Sequence, residues 1–331
     1  MATKWNISNV DKQKIVGIFG ILISLASLAY IAITVDIGLA FNSLLKIQWY
    51  WIFLATAIYL STFLLRTARW EKMLKNYSGI PFKVYFESIM LGFAGNNLLP
   101  AKGGELVRME YFSSKTGISR VTAFSSSMLI KIIDGFAILL ILIVTIWLAQ
   151  LPFFKNNLIM NITISAASIY LIIIVFAIVL RVQGKRIIEK LNTKIAKKKS
   201  FLRDNIEKIY SSLVFLNFDR NTAQILSLST IIWLMESVVF VIIIYALAPE
   251  IDYISAGIVT LAVVNYGLII PSSPGFVGLF QGLTILSLGL FKICEETALA
   301  ASIAIHLCQF LPVTLWGIVI FFRQSLKLFY N

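Results

Sequence analysis

Three constellations of polar residues interrupt an otherwise apolar chain, and their residue types suit the holding of a charged headgroup. The first runs Asn96-Asn97-Leu98-Leu99-Pro100-Ala101-Lys102-Gly103-Gly104-Glu105, with Arg108 following. Pro100 has no amide N–H and the glycines accept unusual dihedrals, so a helix must stop there and expose backbone donors and acceptors. Where a new helix then starts, such an end can hold an ion or a headgroup. Glu105 and Arg108 stand three apart, on one helical face, where they can pair. An interfacial turn with a solvated ion pair is the plainer reading of the same spacing.

The second constellation is Lys131 and Asp134, again three apart, inside a long apolar run. An ionisable group in hydrocarbon costs about 2.5–3.5 kcal/mol on insertion scales, so both should face the interior of a helix bundle. They suit a headgroup or proton-coupling site, against a structural pair that fixes helix packing. The third joins Pro271-Ser272-Ser273-Pro274-Gly275 to Asn265, Gln281 and His306. Ser272 and Ser273 beside freed backbone groups would line a polar cavity; the competing reading is a tight turn and a histidine that only packs. Glu236 has no obvious cationic neighbour in sequence.

Catalysis finds no support. There is no nucleotide-binding loop, Ser-His-Asp set or metal-ligand spacing. One histidine and two scattered cysteines, Cys294 and Cys308, give neither a zinc site nor a disulfide framework. We expect no enzyme activity, no cofactor and no metal.

The elements that must hold these residues are membrane helices. Of 331 residues, 59% are apolar and only 14% charged, and mean hydropathy is +0.86; soluble domains are nearer one-quarter charged. The net charge of +13 sits mostly between apolar blocks, which favours cytoplasmic loops facing anionic lipid over nucleic acid. The expected order is a cytoplasmic N-terminus at 1–14, then spans at 15–35 and 49–65 joined by an interfacial connection at 36–48. A basic inner loop follows at 66–83, then a short apolar segment at 84–99 and spans at 121–151 and 158–180. The basic stretch 181–220 carries eleven Lys/Arg against four Asp/Glu, and Phe201, Leu202, Ile206, Ile209, Leu213 and Leu216 recur at helical spacing. We read 181–221 as a cytoplasmic loop with an amphipathic helix on the inner leaflet. No cleavable signal peptide is expected.

Charge bias puts both 66–83 and 181–220 inside, so an even number of crossings must separate them. Three apolar blocks lie between, and 84–99 is shorter than the roughly 20 residues a crossing needs. The region 84–120 is therefore read as re-entrant. The second membrane half, 222–331, repeats the layout of the first, 15–180: span, short apolar segment, proline break, polar stretch, span. Its broken segment lies at 253–291, and in both breaks a glycine follows the proline by four residues. Matched Gly/Pro-interrupted segments mark a transporter site near mid-membrane. The repeats are inverted if the second short segment also turns back. The expectation is an all-α polytopic membrane protein with seven or eight transmembrane helices, broken or re-entrant helices, and two structural repeats.

With these residues in hand, the chain resembles the lysylphosphatidylglycerol synthase membrane-region family, flippase-like proteins that also occur as stand-alone chains. The resemblance covers roughly residues 15–325 and rests on LLPAKGGELVR (98–108), KIIDG (131–135) and PSSPGFVG (271–278), in that order. Lys131 stands where the family commonly has Arg, Phe276 replaces a Gly, Gln281 lies where an acid is frequent, and His306 where Arg is common. The resemblance implies translocation of a lipid between leaflets, with aminoacylated phosphatidylglycerol or polyprenyl-linked sugars as cargo. Fused members carry a soluble aminoacyl-transferase domain; with Asn331 directly after the last span, aminoacyl transfer is not expected here.

The functional expectation is a flippase-like transporter in the plasma membrane. It would hold an anionic or modified phospholipid, or a polyprenyl-linked lipid, in a polar cavity between two repeats. Asn96, Asn97, Pro100, Lys102, Gly104, Glu105, Arg108, Lys131, Asp134, Pro271, Ser272, Ser273, Gly275, Gln281 and His306 would form the site. A separate lipid-modifying enzyme and a second copy of the chain are compatible partners; nucleic acid is not. The alternatives are a non-transporting scaffold for a lipid synthase or glycosyltransferase and, less supported, an enzyme acting on a lipid phosphate.

Overall fold

A computed structural model of the chain describes residues 7–99, 102–151, 219–270 and 272–329, with isolated positions 168, 172, 175 and 183. The expected span at 158–180 and the amphipathic helix of 181–221 fall almost wholly outside the described residues, as do Pro100 and Pro271. Every regular element among the described residues is helical: α1 Ile7–Thr34, α2 Ile37–Leu45, α3 Trp49–Met73, α4 Phe82–Leu98, α5 Gly104–Thr116 and α6 Arg120–Ala149. After the gap come α7 Arg220–Leu247, α8 Tyr253–Gly267, α9 Leu279–Gly289 and α10 Glu295–Phe329, with a short 3-10 turn at Pro274–Phe276 before α9.

Four of these helices, α3, α6, α7 and α10, are long and apolar enough to cross a membrane. A fifth crossing is reached only if the 21–34 part of α1 and α2, bent by 90°, count as one broken span. The described residues hold four or five of the seven or eight crossings read from hydropathy, and the expected span at 158–180 lies outside them. Two further features bear on the count. The segment 36–48 is no plain connection: Asp36 caps α2 by accepting from Leu39 N at 3.0 Å, and the chain turns sharply there. The apolar blocks near 253–291 form helices of 15 and 11 residues. At about 1.5 Å per residue these reach roughly 22 and 16 Å, short of the roughly 30 Å hydrocarbon core.

Both short segments are halves of helical hairpins. In the first, Tyr85 packs on Phe112, Glu87 accepts from Tyr111, and Gly95 faces Gly104. Partner numbers fall as residue numbers rise, so α5 doubles back along α4. Glycine is required at the crossing: a Cβ on Gly104 would run into the Gly92 carbonyl and the Asn96 amide. In the second, Thr260 and Ser287 hydroxyls lie 3.0 Å apart and Gly267 abuts Leu283, so α9 runs back along α8.

The chain divides into two compact units, each drawing on both sequence halves. The first gathers 1–62, 90–107 and 235–331, the second 63–89 and 108–234. Helices α3, α4, α5 and α7 contribute one end to each.

Candidate functional site

The second unit holds a buried cluster of charge. Along α3, Phe63, Arg66, Arg69, Trp70 and Met73 recur at three- and four-residue spacing and so share a face. That face is buried, with Arg66 6% exposed and Arg69 2%. The Arg69 guanidinium takes the Asp134 carboxylate of α6 with two N–H groups, Nη1 to Oδ1 and Nη2 to Oδ2, the latter at 3.1 Å. Nη1 also donates to Ser229 Oγ of α7 at 2.7 Å. A planar fork meeting a carboxylate in this way is the strongest ion-pair geometry a protein offers. Arg66 Nη1 lies 4.0 Å from Asp134 Oδ2, and its guanidinium sits 5.3 Å from the Trp233 ring centroid.

Arg108 of α5 extends the cluster. Its Nη1 donates to Ser127 Oγ at 3.0 Å, and its guanidinium lies 3.9 Å from the centre of the Trp70 ring. Trp70 is itself held by Nε1 donating to Ser126 Oγ at 3.0 Å and by ring contacts with Tyr85 and Phe112. The serines sit on α6 within one turn of each other, so one helix supplies hydroxyls to both Trp70 and Arg108. Three arginines and an aspartate are thus buried among apolar helices, and Arg69 Nε makes no hydrogen bond among the described residues. Charge buried in this way is costly unless geometry and hydrogen bonds offset its desolvation.

The first unit holds the tips of both hairpins. Asn97 at the end of α4 donates from Nδ2 to Thr314 Oγ1 at 2.8 Å and to the Phe310 carbonyl at 3.4 Å. Asn96 Nδ2 lies 3.5 Å from Glu105 Oε1, and Lys102 takes a left-handed φ of 56° as the chain turns into α5. In the second tip, Ser273 N donates to Ser24 Oγ at 3.0 Å and Ser273 Oγ to the Val277 carbonyl at 2.9 Å. Gly275 has φ +67°, and a Cβ there would lie 2.8 Å from the Phe310 ring and 3.3 Å from the Asn97 carbonyl. The two interrupted segments therefore meet at Asn97, Gly275 and Phe310. Each tip also buries a polar atom with no partner among the described residues, Asn96 Oδ1 and Ser272 Oγ.

Gln281 and His306 complete this tip. Gly278 N donates to Gln281 Oε1 at 2.7 Å, and Gln281 Nε2 lies 3.0 Å from His306 Nδ1. The imidazole stacks on Phe280 at 4.6 Å and meets Phe310 edge-on at 5.6 Å.

The residues singled out in sequence thus fall in two places. Arg108 and Asp134 join the arginine cluster, with Asp134 taking Arg69 from a distant helix as its bidentate partner; Lys131 lies exposed on α6. Asn96, Asn97, Gly104, Glu105, Ser272, Ser273, Gly275, Gln281 and His306 belong to the hairpin tips. Sequence reading missed Arg66 and Arg69, treating them as markers of an inner loop. Their spacing from Phe63 and Trp70 was the signal that placed them on a buried face. Among the described residues no group of three or more His, Cys, Asp or Glu is arranged to hold a metal.

A cleft of about 480 Å³ opens where α3 ends, lined by Glu71, Lys72, Lys75, Tyr77 and Asn221 among others, none of them a residue singled out in sequence. At its rim Lys75 Nζ donates to Asp219 Oδ2 at 2.9 Å. The Thr222 backbone N–H, with Lys75, holds the Asp219 carboxyl down at about 2.

The sequence matches the lysylphosphatidylglycerol synthase TM region family over residues 17–317. It is 24% identical over 328 residues to a UPF0104 membrane protein of Methanocaldococcus jannaschii, a similarity covering 94% of each chain. No solved structure matches the chain. The family match spans both hairpins, the buried arginine cluster and the long apolar helices that carry it, and the chain is accordingly a multi-pass membrane protein belonging to the lysylphosphatidylglycerol synthase TM region family.

Proposed function

We propose that this protein is a non-enzymatic lipid transporter of flippase type, resident in the plasma membrane. It moves an anionic or modified phospholipid, or a polyprenyl-linked lipid, between leaflets through a polar cavity between two inverted repeats. The observation that carries the reading is the buried set Arg66, Arg69, Arg108 and Asp134 on apolar helices. An ionisable group held at a cost within a membrane bundle is by default a functional one, and guanidinium forks match phosphate oxygens as well as carboxylates. Asp134 keeps Arg69 oriented until a phosphate competes for it. The interrupted hairpins, each ending on a buried polar atom with no partner among the described residues, are the kind of broken helix that transporters use to offer backbone to a substrate.

The test is lipid movement in vesicles reconstituted with the purified full chain, using fluorescent phosphatidylglycerol and a fluorescent polyprenyl phosphate in parallel. Label should become accessible to an outer-leaflet quencher faster than in empty vesicles. Arg108→Ala should abolish this while leaving folded yield intact. Equal rates with wild type and empty vesicles for both lipids would sink the transport reading.

A further inference from the structure

The second hairpin tip contains a hydrogen-bond chain whose polarity is fixed at one end. A backbone N–H can only donate, so the 2.7 Å bond from Gly278 N commits the amide oxygen of Gln281. The amide nitrogen, also only a donor, is thereby turned to His306 Nδ1 at 3.0 Å. Two donors cannot share that line, so Nδ1 is a bare acceptor and the imidazole is neutral. The peptide at the far end of the chain is held from both sides. Gly278 sits at φ +88° against the Ser24 carbonyl, and its own carbonyl accepts from Ser27 Oγ at 2.8 Å. One residue thus starts α9 and ties it to α1.

We propose that His306 is a proton-binding switch that governs the tip of the second hairpin. A proton taken from water onto Nδ1 turns that atom into a donor. Gln281 must then rotate its oxygen toward the imidazolium, and Gly278 N–H is left facing an NH2 group. The first turn of α9 loses its cap, while the imidazole keeps its hydrogen bond to the Gly275 backbone, so the loosening is confined to the start of α9. One N–H bond forms on Nδ1 as one O–H bond of hydronium breaks, and no other covalent bond changes.

Few other ionisable groups stand in the way. The segment 272–278, α2 and α9 carry none; α1 carries Asp11, Lys12 and Lys14 in its first turns and, over 21–34, Tyr30, bonded to Glu295 at the start of α10. Helix α7, whose Phe240 meets Phe280, brings the buried Glu236 into the same unit. Asp36 and Lys46 flank α2, and the first-unit part of α3 carries Tyr50 and Tyr59. Glu105 stands beside Asn96 at the other tip, and Cys308 on α10 points its thiol to the Ile52 carbonyl. The proposal deepens the transport reading by making the proton its coupling ion, and only that coupling step rests on it.

His306 is the one histidine in the chain, so 15N-histidine labelling of the full protein in lipid nanodiscs reports this imidazole alone. At neutral pH Nδ1 should be unprotonated and Nε2 protonated. On acidification Nδ1 should shift upfield, and over the same pH range the amides of 276–281 should lose hydrogen-exchange protection after correction for the intrinsic rate. Gln281→Glu supplies a carboxylate that accepts from both Gly278 N–H and an Nδ1 proton. Its imidazole should be charged already at neutral pH while the tip stays protected throughout. A charged imidazole in the wild type at neutral pH, or a titration that leaves tip protection unchanged, overturns the switch. In reconstituted vesicles an imposed pH gradient should change lipid movement by wild type and not by Gln281→Glu. A working switch without any lipid movement leaves the switch standing and defeats transport. Lipid movement indifferent to the gradient defeats the coupling.

Discussion

Arg69 and Asp134, sixty-five residues apart, share two N–H···O bonds in the buried part of one compact unit, where Asp134 is 8% exposed. Breaking such a pair from one side leaves an uncompensated charge and costs about 3–5 kcal/mol, whereas replacing both partners with apolar residues is often neutral. Arg69→Ala and Asp134→Ala should each lower the thermal midpoint of the detergent-solubilised protein sharply. The double variant Arg69→Met/Asp134→Leu should recover most of it. Lipid movement should stay lost in the double variant; its return would mean that the pair only holds helices together.

The crossing of α4 and α5 sets a second expectation. A methyl on Gly104 has nowhere to go, since the Gly92 carbonyl and the Asn96 amide occupy its place. Overpacking of a well-filled contact costs about 1–3 kcal/mol, so Gly104→Ala should destabilise by at least that much. Gly289, at the end of α9, has nothing within 4 Å of its would-be Cβ. There Gly289→Ala should be neutral or add about 0.5–1 kcal/mol, because it stiffens the unfolded chain. Equal effects at the two glycines, read by thermal unfolding, would contradict the tight hairpin.

The contact between Asn97 and Thr314 can be trapped. Their side chains meet at 2.8 Å, so cysteines at 97 and 314, with Cys294 and Cys308 replaced by serine and alanine, should cross-link under mild oxidation in membranes. The cross-linked form should migrate faster on a denaturing gel and should stop lipid movement, restored by reductant. If the hairpin tip does not move during transport, oxidised protein will work at the reduced rate.

Acid should release the exposed pair at the cleft beside the end of α3 only late. The Asp219 carboxyl titrates at about 2 in the folded protein, below the roughly 3.9 of an unperturbed aspartate. Its contribution to stability is therefore complete above the unfolded value and is lost as pH falls through the folded one. The difference in thermal midpoint between wild type and Asp219→Ala should be constant from neutral pH down to about 4 and vanish toward about 2. A difference that fades already near pH 6 would show that another group is responsible.

Composition and hydropathy were enough to determine an all-helical membrane protein, because apolar blocks with no water to satisfy their backbone have little choice but helix. The proline–glycine breaks marked both hairpins, since those residues act through their own backbone. The charge partners were decided only in three dimensions. A spacing of three on one helix suggested Lys131 for Asp134, but burial favours whichever cation can reach with a fork and hydroxyl support, and helix packing brings Arg69 of α3 and Ser229 of α7 to that carboxylate. The same holds for length: hydropathy counted the blocks at 253–270 and 276–291 toward the crossings, while folding pairs them side by side as one hairpin of 15- and 11-residue helices, α9 running back along α8.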